Sequence, residues 1–214
     1  GLATFTDLRI EGVPGNNYSL QFATSGLQST TSQDVQVIHT TPSQLVITQQ
    51  PVGGVTGDEL ASQPVVEVRD RFNNLAATDN ATTVSVSVFS GPSRLSGLAA
   101  EVTGSLTVTA VNGVATFSGL ELFARTGENY VLKFAASGFD VLSNGVVVSP
   151  AGANSLEWVT EPVAQRTGEA MGTQPVLRML DFDGNIAAST SATVVASVTN
   201  GGGYIEAGTT SSAV

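Results

Sequence analysis

The side chains that could do chemistry are few, and the densest group is Asp181-Phe182-Asp183-Gly184-Asn185. It sets three oxygen-bearing side chains at alternate positions around a glycine, and hard oxygen ligands around a tight turn are what calcium takes. Asp181, Asp183 and Asn185 are therefore the candidate metal ligands. The ligand set is incomplete, because the bidentate glutamate that closes an EF-hand loop does not follow. The related stretch Asp70-Arg71-Phe72-Asn73-Asn74 loses one carboxylate and gains an arginine. A turn with Gly184 or Asn73 at positive φ is the simpler account of both.

Catalytic chemistry has less to work with. His39 is the one histidine, beside Thr40-Thr41-Pro42-Ser43 and remote in sequence from any paired Ser and Asp. It is expected to be a solvated linker residue, with no triad and no His-based metal cluster around it. Asp58-Glu59 sits in turn-like surroundings with no aromatic platform, so glycosidase chemistry has no support. Trp158 stands where Ile47 stands in a related strand and is expected to pack, in a core or against a neighbouring unit. Asn17-Tyr18-Ser19 and Asn80-Ala81-Thr82 fit the N-glycosylation pattern, which arises often by chance in Ser/Thr-rich chains. No catalytic residue, no cofactor and no enzyme activity is expected.

Composition narrows the partners. Of 214 residues, 41% are hydrophobic, enough for real cores, while Val, Leu, Ala, Thr and Ser dominate and 23 Gly and 8 Pro are spread along the chain. That balance suits many short strands joined by turns. Eight Lys plus Arg against 18 Asp plus Glu give a formal charge of -10, and without a basic stripe nucleic acid and anionic lipid are repelled. No apolar run approaches the ~18 residues of a membrane span, so membrane insertion is not expected. With no cysteine there are no disulfides and no thiolate sites. A secretion signal, which needs a basic and then an apolar segment, would lie outside these residues, and Gly1 is expected to be an interior point of a longer or processed polypeptide.

What positions the candidate residues is a repeat. Gly113-Val114-Ala115-Thr116-Phe117 matches Gly1-Leu2-Ala3-Thr4-Phe5, and on through Gly127, Asn129 and Tyr130 against Gly15, Asn17 and Tyr18; 13 of 27 ungapped positions agree, which chance does not supply. A second match, 111 residues apart, sets Leu45, Pro51, Gln63, Pro64, Asp70 and Asn74 against Leu156, Pro162, Gln174, Pro175, Asp181 and Asn185. Residues 1–43 are then the C-terminal half of one repeat, 44–150 a complete repeat, and 151–214 the N-terminal half of the next.

Within the complete repeat, β-rich runs bounded by turn residues fall at 45–48, 64–69, 83–89, 105–111, 114–122, 130–136 and 142–148. Seven short strands in about 105 residues, with no helical period between them, predict an all-β immunoglobulin-like sandwich in tandem copies. Tyr130, Leu132, Phe134 and Ala136 alternate onto one face, and the Gly-x-x-Tyr spacing at Gly127 and Gly15 predicts a tyrosine corner at Tyr130 and at Tyr18.

The succession Leu45-Val46-Ile47-Thr48-Gln49-Gln50-Pro51, Gln63-Pro64-Val65-Val66-Glu67-Val68-Arg69-Asp70 with Asn74, Asn112-Gly113-Val114-Ala115-Thr116-Phe117 and Gly127 to Tyr130 resembles the bacterial Ig-like repeats of large surface and secreted proteins. The resemblance spans essentially the whole chain. It implies a spacer, stalk, adhesin or fibre module at the cell surface or outside the cell, and it does not imply a ligand.

The expected function is a structural module in the shaft of a surface fibre, stalk or giant adhesin. Its partners are neighbouring repeats, in the same chain or head to tail between chains, and prolines stiffen the linkers at 39–43 and 150–154. The other readings are a carbohydrate- or protein-binding module, which needs the exposed aromatic cluster that 6% aromatics on core positions does not provide, and an S-layer or lattice component.

Overall fold

A computed structural model describes residues 1–163, 166–188 and 192–205. These residues form strands and no helices. The N-terminal part carries four two-residue strands, β1 (Asn17–Tyr18), β2 (Gln21–Phe22), β3 (Thr30–Thr31) and β4 (Val35–Gln36). The middle part carries β5 (Pro42–Gln49), β6 (Val65–Asp70), β7 (Thr83–Ser90), β8 (Glu101–Thr103), β9 (Thr107–Thr109), β10 (Val114–Thr116), β11 (Glu121–Phe123), β12 (Tyr130–Ala136) and β13 (Phe139–Val146). Then come β14 (Ser155–Thr160) and β15 (Val176–Leu180).

The middle part is a β-sandwich. One sheet runs β10-β6-β5, the other β13-β12-β7-β9, and β8 with β11 makes a separate ribbon; the named pairs are antiparallel. Period-two alternation puts Val66 and Val68 of β6, Val84 and Val86 of β7, and Tyr130, Leu132 and Phe134 of β12 into a single core between the sheets. Phe117 and Phe134 meet edge to face at 5.3 Å, a geometry that the ring quadrupoles favour. The buried cluster spans Leu45 to Val148, so this one unit owns its core.

The run expected as one strand over 114–122 is two. Ala115 and Phe117 are buried, and so are Leu120 and Leu122, so the alternation slips by one residue at 118–119. There the chain leaves β6 and crosses to pair with β8. The short β8 was not expected from sequence, since Val102 is its one buried residue. In the run expected over 105–111 the strand is β9 alone, and Val111 makes an isolated bridge to Val114.

Both tyrosines make the expected corner. Tyr130 Oη accepts the Arg125 amide hydrogen at 2.9 Å and donates to the Pro92 carbonyl at 3.1 Å. Tyr18 Oη accepts the Val13 amide hydrogen at 2.8 Å.

Geometry recurs along the chain as the sequence does. In β14 and β15, Leu156 faces Met179, Glu157 faces Arg178 and Trp158 faces Leu177; 111 residues earlier Leu45 faces Val68, Val46 faces Glu67 and Ile47 faces Val66. The Ser32 hydroxyl accepts from the Leu20 amide as the Ser143 hydroxyl does from Leu132. What does not recur is the closed sandwich. Leu2 to Thr4 and Arg9 to Glu11 form no strand although their counterparts in β10 and β11 do, because among the described residues no copy of β6 or β8 lies beside them, and a strand exists only by pairing.

Candidate functional site

The Asp181–Asn185 loop begins with a carboxylate turned onto its own backbone. Asp181 Oδ1 accepts the amide hydrogens of Asp183 and Asn185, each at 2.9 Å, and Oδ2 accepts those of Ala151 at 3.1 Å and of the Asn185 side chain at 3.0 Å. Asp70 repeats the knot. Its Oδ1 accepts from Phe72 and Asn74, and its Oδ2 from the Thr40 amide and the Asn74 side chain. Asn73 at φ 66° and Gly184 at φ 85° supply the left-handed residue that the turn needs. In each case an aspartate ties the end of one strand to the linker that precedes its unit. Burial pushes the Asp70 carboxyl up, but the donors from Thr40, Asn74 and Phe72 outweigh it and hold the pKa at about 2.

Asp183 points the other way, into the 44–150 unit. Its Oδ2 accepts from the Thr56 hydroxyl at 2.7 Å and its Oδ1 from the Arg94 guanidinium at 3.0 Å. The side chains are 1% exposed for Asp183 and 10% for Arg94, so this ion pair is buried and hydrogen-bonded on both sides. Arg94 also donates to the Ala99 carbonyl and lies over the Phe123 ring. Asn185 completes the joint: its Oδ1 accepts the Thr126 amide hydrogen at 3.0 Å and its Nδ2 donates to the Ala124 carbonyl at 3.3 Å. The Ser96 amide donates to the Asp183 carbonyl at 2.9 Å. Phe182 stacks edge to face on Phe123 at 5.6 Å over Gly57, where a Cβ would come within 2.4 Å of the Phe182 ring.

Asp181, Asp183 and Asn185 are thus brought together, with their oxygens engaged by protein donors. Among the described residues no group of three or more His, Cys, Asp or Glu side chains is placed to hold a metal ion.

His39 is not the solvated residue expected of a linker. It is half-buried, its Nδ1 lies 2.7 Å from the Thr40 carbonyl and its Nε2 2.6 Å from the Thr78 hydroxyl. Beside it Asp79 Oδ1 accepts the amide hydrogens of Ala81 and Thr82. Burial raises the Asp79 pKa; these bonds, the Thr82 side chain and the charge of His39 outweigh it and lower it overall. Trp158 is not packed as expected either: it is 50% exposed, where its counterpart Ile47 lies against the core, because among the described residues no second sheet covers β14.

Sequence reasoning missed Thr56 and Arg94. Their partner Asp183 lies 127 and 89 residues away, and no local pattern announces a contact at that separation. The one available signal was the isolation of Arg94, the sole charged residue between Asp79 and Glu101.

No family model matches the sequence, and no curated protein matches it.

Proposed function

We propose that this chain is a stretch of an extracellular structural shaft, of a surface fibre, stalk or giant adhesin, built from immunoglobulin-like modules in tandem, with the halves 1–43 and 151–214 completed by neighbouring segments of the same kind. The sheet orders β10-β6-β5 and β13-β12-β7 support the module, being the order of the immunoglobulin strands E-B-A and G-F-C. One observation carries the rest: the two ends expose, as complements, what the middle unit buries. Phe5 is 59% exposed and its counterpart Phe117 1%; Leu8 and Leu156 are exposed where Leu120 and Leu45 are buried. Residues 1–38 have the sequence of the strands that close a sandwich, and 155–205 that of the strands that open one. Uncovered apolar faces of this kind call for a partner.

A covalent array is favoured over separate chains, since it needs no assembly step. Denaturing mass analysis of native material separates the two: a very large polypeptide is expected, and subunits of 21.8 kDa would establish head-to-tail polymerisation instead. Immunolabelling of intact cells tests the shaft itself. Label along surface filaments is the expected result, and label confined to the cell interior would overturn the proposal.

A further inference from the structure

The joint after the middle unit is more specific than stacking requires. We propose that Thr56, Arg94, Ala124 and Thr126 form a socket that selects the module allowed to follow the 44–150 unit: it fits a loop with a carboxylate at position 183 and excludes the loop that the 44–150 unit itself carries at Asp70–Asn74. This rests on the modular reading above.

The two loops share the aspartate knot and differ where they meet a neighbour. Phe72 stands in place of Asp183 and Arg71 in place of Phe182. Seated in the socket, the Asp70–Asn74 loop would set a phenyl ring against the Thr56 hydroxyl and leave the Arg94 guanidinium, 10% exposed, without its buried counter-charge. Glu101 lies 3.8 Å from Arg94 and is itself 60% exposed, too solvated to replace Asp183. Arg71 would bring a second guanidinium to the Phe123 ring, which Arg94 already meets. An unpaired buried charge and a like-charge contact are both strongly unfavourable, so a second copy of the 44–150 unit is the wrong follower.

The other joint lacks the lock. Pro14 stands where Thr126 stands and has no amide hydrogen to offer Asn74. A joint following the 151–214 segment would lack the cation as well, since no Lys or Arg follows Arg178. Order is therefore written into one joint of this chain by one ion pair.

Hydrogen exchange on the full chain reads the socket directly. The Ser96 and Thr126 amides belong to the 44–150 unit but donate to Asp183 and Asn185, so they are protected only while the loop is seated. The Ala76 amide, bonded to the Val68 carbonyl, reports the fold of the unit alone. Asp183→Phe is expected to abolish protection at Ser96 and Thr126 and to keep it at Ala76. Arg94→Asp alone should do the same, and adding Asp183→Arg should restore part of it. Retained protection at Ser96 and Thr126 in Asp183→Phe overturns the proposal. Should Asp183→Phe strip Ala76 as well, Arg94→Met decides by the same two amides. A native protein that proves not to be a shaft leaves the socket standing, and an unselective socket leaves the shaft standing, so the two failures are distinct.

Discussion

Tyr130 reaches back five residues to take the Arg125 amide hydrogen on its hydroxyl, and the same hydroxyl donates to the Pro92 carbonyl. One side chain thereby ties two loops to the strand that centres its sheet. Tyr130→Phe removes both bonds and leaves the partners unsatisfied, at a cost of ~1–3 kcal/mol, readable in urea titration. Burial also raises the phenol's pKa above its usual 10.0, so the folded state keeps this proton longer than the unfolded chain. Its stabilising effect is present below pH 10 and erodes only as the pH rises through the raised folded value.

Phe134 is fully buried and packs on Phe117, the residue that follows β10 of the opposite sheet. Phe134→Ala should cost ~3–5 kcal/mol, because the gap cannot collapse between two paired sheets. A loss under ~1 kcal/mol would contradict the burial that sets the phase of β12.

The pH response follows from Asp70. Its folded pKa of about 2 lies below the ordinary 3.8, so the unfolded chain takes up the proton first as the solution is acidified. The stability that Asp70 contributes is complete above pH 3.8 and is lost as the pH falls towards 2; Asp79, also lowered, acts in the same direction. Thermal melts between pH 5 and pH 2 should show a falling midpoint. Asp70→Asn should start lower and flatten that fall.

Calcium should change the melting temperature little, because both Asp181 oxygens and both Asp183 oxygens already accept hydrogen bonds or pair with Arg94. Melts with millimolar calcium and with chelator compare directly. A large upward shift with calcium would mean that the Asp181–Asn185 loop opens to bind it.

Much of the fold was legible because its cause is local. Alternation at Tyr130, Leu132 and Phe134 fixes β12 to the residue, and the glycine before each tyrosine marks the corner. The break at 118–119 was missed, although Phe117 and Leu120 are three residues apart and cannot both face the core from one continuous strand; the change of partner from β6 to β8 accounts for it. For the site, the turn in Asp181–Asn185 was readable and its purpose was not. Asp181 and Asp183 look alike on paper, yet one closes its own linker through the Ala151 amide and the other reaches Arg94, and that difference is set by which surface folds against the loop.

The last prediction is that residues 44–150, made alone, fold cooperatively. The buried cluster runs from Leu45 to Val148 and includes both sheets, the Phe117–Phe134 contact and the tyrosine corner, so the excision removes no core residue. What it uncovers is polar or peripheral: Thr56, Arg94 and the Phe123 ring lose Asp183 and Phe182, and Asp70 loses the Thr40 amide. Arg94 then returns to water, where a guanidinium is well solvated, so the free socket carries only a modest penalty. Residues 1–43 alone behave differently, because their four two-residue strands leave Phe5, Leu8 and Ile38 exposed and too little apolar area is covered to offset the entropy of ordering the chain. Far-ultraviolet circular dichroism and thermal melting check both pieces. A β spectrum with one sharp transition is expected for 44–150 and a disordered spectrum for 1–43; disorder in 44–150, under conditions where the full chain is folded, would show that the sandwich depends on its neighbours.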